Sequence, residues 1–200
     1  MKHFLPALRI LIFMTLLTGV AYPLLITGIA QVAFADRANG ELQQRGEVLI
    51  GSSLIAQKFE GVNYFWSRPS AVGFNPQPSG GSNLGQISED LKKAYLERKE
   101  LLKAAHKDQT IDPPQDLLFA SGSGLDPHIS PEAAKYQLFR VADNRHLDKG
   151  QVEKLVNDMT ESRQFGIFGE PTVNVLALNV ALDKLQGIET APQLKPEVKK

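Results

Sequence analysis

ILIFMTLLTGVAYPLLITGIAQVAFA, from Ile10 to Ala35, is a run of 26 residues without a charge, and its reading decides the architecture of the chain. At about 1.5 Å of rise per residue it forms a helix of roughly 39 Å, against a hydrocarbon core of about 30 Å, so it is long enough to span a bilayer with some tilt. Ala33-Phe34-Ala35 before Asp36 has the small-x-small form of a cleavage site. A signal-peptide apolar region, however, runs only about 7–15 residues, and the length favours a retained anchor. Lys2 and Arg9 precede the run with no acid among them. Positive charge stays on the cytoplasmic side, so residues 1–9 are expected inside, 10–35 in the membrane and the remainder on the outer face. Thr15, Gly19, Pro23 and Thr27 recur every four residues. They give one helical face of small side chains, expected to pack on a partner's helices. Pro23 in mid-span points the same way, because the backbone groups it frees are satisfied by neighbouring helices or local bonds.

The 200 residues balance 22 Lys+Arg against 22 Asp+Glu, but residues 1–35 hold two of the basic residues, Lys2 and Arg9, and no acid, leaving the rest slightly acidic. A nucleic-acid binder that works by neutralising phosphate shows a basic domain or stripe, and this chain has neither. The absence of cysteine excludes disulfides, thiolate metal sites and a cysteine nucleophile.

Residues 36–45 are polar and read as a short tether or the frayed extension of the membrane helix. From 46 to 190 the pattern is that of one compact mixed α/β domain, and 191–200 reads as a frayed tail. Glu47 to Ile50 is strand-like, and Gly51-Ser52-Ser53 is placed to open a short helix through Leu54, Ile55 and Phe59. Tyr64-Phe65-Trp66-Ser67-Arg68-Pro69-Ser70 follows. Three aromatics in a row cannot share one side of a regular element, so the block is either a core corner or an interface anchor of aromatic plus Arg68. Residues 69–85, PSAVGFNPQPSGGSNLG, hold three Pro and four Gly and form a long loop, a candidate contact surface. Ser88 caps a helix whose apolar face is Leu91, Ala94, Tyr95, Leu101, Leu102 and Ala105. Leu117 to Ala120 is a short apolar run of strand type. After the second glycine loop, Ser121-Gly122-Ser123-Gly124, Ser130-Pro131-Glu132 starts a helix and Asp148 caps another. Gly169 to Leu176 reads as a strand, with a closing helix from Leu178 to Leu185.

The glycine loops match a phosphate site only weakly and read as tight turns or a partner-contact surface. A P-loop ends in Gly-Lys-Ser/Thr, which occurs nowhere in the chain, and no G-x-G-x-x-G occurs either. No paired His spacing suits zinc and no G-x-S-x-G elbow presents a serine. The residues thus describe an anchored outer-face domain with elaborate loops and no self-sufficient active site.

Four blocks in order carry a specific resemblance: Tyr64 to Ser70; Ser79-Gly80-Gly81-Ser82-Asn83-Leu84-Gly85; Ser121 to Pro131 with Tyr136-Gln137 and Arg140-Val141-Ala142; and Gly169-Glu170-Pro171-x-Val173-Asn174-Val175-Leu176-x-Leu178-Asn179. Behind a single span they resemble the C subunit of the bacterial Kdp potassium-transporting ATPase. The resemblance implies an inner-membrane complex with a channel-like potassium-binding subunit, a P-type ATP-hydrolysing subunit and a small membrane subunit. The chain itself is then a non-catalytic assembly subunit, or a catalytic chaperone that raises ATP affinity in a ternary complex. For ATP the resemblance singles out Ser121, Gly122, Ser123, Gly124 and Gln137. The topology argument places these outside while ATP lies inside, so docking is the expected role. Tyr64, Phe65, Trp66, Arg68 and Ser79, Gly80, Gly81, Ser82, Asn83 are expected to meet the potassium-entrance side of the channel-like subunit. The alternative is a secreted or anchored periplasmic domain that binds a different membrane partner.

Overall fold

The computed structural model describes residues 3–45 and 48–188. Lys2, the Gly46 boundary, Glu47 as the first residue of the expected strand, and the tail from 191 to 200 lie outside the described residues. The chain divides into two units, 1–41 and 42–200.

In the first unit a 30-residue apolar helix runs from Phe4 to Ala33, six residues earlier than the uncharged run, with Arg9 inside its second turn. It consists of α1 (Phe4–Leu16), a π turn (Leu17–Ala21) and α2 (Tyr22–Ala33). Pro23 explains the π turn. Proline has no N–H, and its ring clashes with the carbonyl four residues back, so the preceding turn widens. The Tyr22 N–H accordingly donates to the Leu17 carbonyl, five residues back. A four-residue repeat on a 3.6-residue helix drifts by about 40° per step. The extra residue of the π turn takes back most of that drift and keeps Thr15, Gly19, Pro23 and Thr27 close to one line. A further turn, α3 (Ala35–Ala38), follows the span.

The expected tether over 36–45 is corrected: besides α3 it contains strand β1 (Leu42–Arg45), paired antiparallel with β2 (Val48–Ser52). Its polarity hid it, because the pairing comes from β2 and not from an apolar face of its own. Gly51-Ser52-Ser53 does not open a helix; Ser52 ends β2, and the chain continues without regular structure to Ser88.

The remaining elements are α4 (Glu89–Ala105), α5 (Gln115–Leu118), β3 (His128–Ile129), α6 (Pro131–Arg145), α7 (Lys149–Asp158), β4 (Thr160–Glu161), β5 (Thr172–Asn174) and α8 (Val175–Leu185). The short strands form an antiparallel sheet in the order β3-β5-β4. The fold is thus a mixed α/β (α+β) domain behind an apolar helix, as expected. Ser88, Ser130 and Asp148 cap α4, α6 and α7 by accepting from the N–H groups of Leu91, Ala133 and Gln151. Helix α6 runs through the core, burying Ala133, Ala134, Leu138, Val141 and Ala142 against Phe65, Val152, Val156, Val173, Leu178 and Leu182.

Three local expectations change. Leu117–Ala120 is not a strand: Leu117 and Leu118 are buried from the single turn α5, which follows Pro113-Pro114. The expected strand 169–176 stops at Asn174, whose side chain accepts from the Ala177 N–H and starts α8 there. On α4, Leu102 is buried while Leu101 is 58% exposed, so the inward stripe is narrower than the pattern implied.

Candidate functional site

Residues 61–66 have no regular secondary structure, yet their backbone is held by buried side chains. Arg140 donates to the carbonyls of Val62 and Tyr64, and Arg145 to that of Asn63 at 2.6 Å. Asn179 pairs with both backbone groups of Phe65, accepting its N–H at 2.9 Å and donating to its carbonyl at 2.9 Å. Gln137 does the same for Trp66, at 2.7 and 3.2 Å. Five consecutive carbonyls, 62 to 66, thus each accept a side-chain bond from α6 or α8. A buried backbone group left unpaired costs about as much as a lost hydrogen bond, and here carboxamides and guanidinium groups replace the missing sheet neighbour.

Aromatic contacts complete the frame. Phe65 is fully buried in the core. The Arg140 guanidinium lies 4.2 Å from the Trp66 ring centre, and that of Arg145 4.5 Å from the Tyr64 ring. Arg145 pairs with Asp183 at 2.7 Å, both side chains almost wholly buried, and the Tyr64 hydroxyl donates to the same carboxylate. His106 accepts from Arg140 Nε at Nε2 (2.9 Å), while its Nδ1 lies 2.8 Å from the Leu102 carbonyl. These partners assign the proton to Nδ1. Burial above all, and the Arg140 charge beside it, push the His106 pKa down to about 4 against the opposing bond to Leu102. Burial likewise lowers Arg140 to about 10, which leaves it charged at neutral pH.

From this frame the chain runs into the glycine loops, and the structure brings them together. The Ser121 N–H donates to the Pro69 carbonyl at 3.0 Å. A Cβ on Gly81 would lie 3.1 Å from the Gly122 carbonyl oxygen. Gly124 adopts φ +70°, and a Cβ there would lie 2.6 Å from Val72 and 2.7 Å from the Gly80 carbonyl oxygen. Close approach of the two loops therefore explains Gly81 and Gly124, while a Cβ on Gly80 or Gly122 would meet open space; Ser121 and Gly124 are buried and Gly122 and Ser123 exposed. Arg68 ties this surface down through a 2.9 Å ion pair with Asp126, whose other oxygen accepts the His128 N–H. Ser79, Ser82 and Asn83 are exposed, while Gly80 and Gly81 are half-buried. Gln137 has no exposed surface. Thr15, Gly19, Pro23 and Thr27 lie in the other unit, all exposed along the apolar helix.

Gln137 stands out in the sequence as a site residue and Asn179 only as the end of the fourth block, while Arg145, Asp183 and His106 have no role assigned there. Their signal is visible in retrospect: a charged or amide residue on the apolar stripe of an amphipathic helix must find a buried partner. Asn179 stands between Leu178 and Val180, and Asp183 beside Leu182.

A helix long and apolar enough to cross a membrane, followed by a mixed α/β domain with a loop-built surface, fits a class: single-pass membrane proteins. The family model described as K+-transporting ATPase, c chain, matches residues 4–184. A protein of Dechloromonas aromatica named potassium-transporting ATPase KdpC subunit is 51% identical over 183 residues, covering 90% of this chain and 96% of its own length. Proteins of the same name from Methylococcus capsulatus and Rhodospirillum rubrum are 50% and 51% identical, covering 92% and 90% of this chain and 99% and 94% of their own lengths. The chain belongs to the KdpC family, the accessory subunit of the Kdp potassium-transporting ATPase.

Proposed function

We propose that this subunit works as an anchored docking piece on the outer face of the bacterial inner membrane, with its N-terminus in the cytoplasm and its domain in the periplasm. The observation that carries this reading is the backbone frame at 61–66. It holds the irregular segment 62–66 by five carbonyls, so that little conformational freedom of that segment is lost when a partner binds. In this reading Trp66, Arg68 and the loop from Ser79 to Asn83 meet the channel-like potassium-binding subunit. The small-residue line Thr15, Gly19, Pro23, Thr27 packs on that subunit's helices, and the P-type ATP-hydrolysing and small membrane subunits complete the assembly.

The catalytic-chaperone role, in which ATP is held in a ternary complex with the ATP-hydrolysing subunit, remains a second reading on family resemblance. The burial of Gln137 supports a different task for that residue, holding Trp66 in place. Saturable ATP binding by the purified full chain that disappears in Gln137→Ala while the fold persists would favour the chaperone reading.

The test of docking is co-purification in detergent. Trp66→Ala with Arg68→Ala is expected to release the chain from the other subunits; unchanged assembly would refute docking through this surface. A reporter fused after Leu185 is expected to be active only in the periplasm, and cytoplasmic activity would overturn the topology.

A further inference from the structure

Between β4 and β5 the chain makes a tight hairpin that the docking surface does not use. Gln164 and Phe168 pair across it, and the Ile167 N–H donates to the Gln164 carbonyl at 3.1 Å. Phe165 and Gly166 at its tip have φ of +53° and +74°, two successive left-handed residues. For Gly166 that conformation is ordinary; for a phenylalanine it is strained. Positive φ at both central residues is what a type I′ hairpin turn requires, and its usual occupants are Asn, Asp and Gly, so a phenylalanine at the first of them stands out. The strained residue is also the most exposed of its neighbours: Phe165 is 92% exposed, Ile167 73% and Phe168 64%. Three large apolar side chains thus project together from a short, hydrogen-bonded loop.

Charge and area decide among the occupants. A lipid-dipping loop is collared by Lys or Arg that meet anionic headgroups. Here the basic residue at the base, Arg163, is already paired with Glu170, and Glu161 adds a further negative charge. Three side chains supply on the order of 500 Å² of contact. A self-standing dimer needs about 800 Å² from each partner, so a second copy of this loop is too small a partner. A rigid aromatic anchor of this size fits one point of an interface held elsewhere as well.

We infer that the 163–170 hairpin is a second docking anchor, inserting Phe165 and Ile167 into an apolar pocket on another subunit of the same assembly, with a neutral or basic rim facing Glu161. The inference rests on the docking reading above.

The test uses the full chain co-expressed with the other subunits and a photoreactive benzoylphenylalanine at position 165. Irradiation is expected to join this chain to another subunit. Adducts to phospholipid, to a second copy of this chain, or to nothing would overturn the inference. Phe165→Ser with Ile167→Ser is expected to keep the wild-type thermal midpoint, both side chains being exposed, and to speed loss of the chain from the immobilised complex at least tenfold; an unchanged rate would also overturn it. If the unmodified chain co-purifies with its partners and only the photoadduct is missing, the hairpin inference fails alone. If the unmodified chain does not co-purify, the docking reading falls and takes the inference with it.

Discussion

Replacing Arg140 by Met keeps a long side chain but removes the guanidinium that holds the aromatic block. The structure gives the terms. Bonds to the Val62 and Tyr64 carbonyls, to Gln137 Oε1 and to His106 Nε2 all disappear. Each hydrogen bond to a charged group contributes about 1.5–3 kcal/mol, and each carbonyl left buried and unpaired costs about 1–3 kcal/mol. Against this, the variant no longer desolvates a cation, a cost of several kcal/mol. What remains is set by the two carbonyls left buried and unpaired, about 1–3 kcal/mol each, so a net loss of about 2–4 kcal/mol is expected. The assay is built into the chain, because Trp66 is its only tryptophan and stacks on Arg140. Urea unfolding of the full chain in detergent, followed by Trp66 emission, is expected to show a lower midpoint and, before unfolding, an altered emission maximum. A loss under about 1 kcal/mol with unchanged emission would refute the claim that Arg140 holds the segment.

His106 makes the same network sensitive to acid. Its folded pKa of about 4 lies below the ordinary 6.5, so the unfolded chain binds the extra proton and stability falls as pH drops from 6.5 to 4. The loss approaches roughly 3 kcal/mol, and His106→Gln is expected to flatten the stability profile in that window; a slope equal to wild type would count against the assignment. Gly124→Ala places a methyl group against Val72 and the Gly80 carbonyl at φ +70°. The thermal midpoint is expected to fall and subunit retention with it, whereas a neutral result would mean that the two loops do not touch. Asn174→Ala removes the α8 cap and the bond to the Ser53 carbonyl, a loss of about 2 kcal/mol in denaturant unfolding.

What the sequence made legible was whatever a local rule governs. The uncharged run reads as a span by length alone, and Ser88, Ser130 and Asp148 announce their helices by capping chemistry. The Pro and Gly of 69–85 forbid a regular element. What stayed hidden depends on partners distant in the chain. The strand Leu42–Arg45 exists because β2 lies beside it, and Leu117-Leu118 turns as a helix because its place in the core is set by the surrounding packing. The frame at 61–66 joins residues more than a hundred positions apart, Phe65 to Asn179. The aromatic block is therefore core corner and surface support together: Phe65 fills the core while Trp66 and Arg68 flank the loops.

Backbone hydrogen exchange of the full chain, alone and assembled with the other subunits, tests the central claim most directly. The account predicts slow exchange at the Phe65 and Trp66 amides in both states, and protection of residues 79–85 gained only on assembly. Fast exchange at Phe65 and Trp66, or equal exchange of 79–85 in the free and assembled chain, would contradict it.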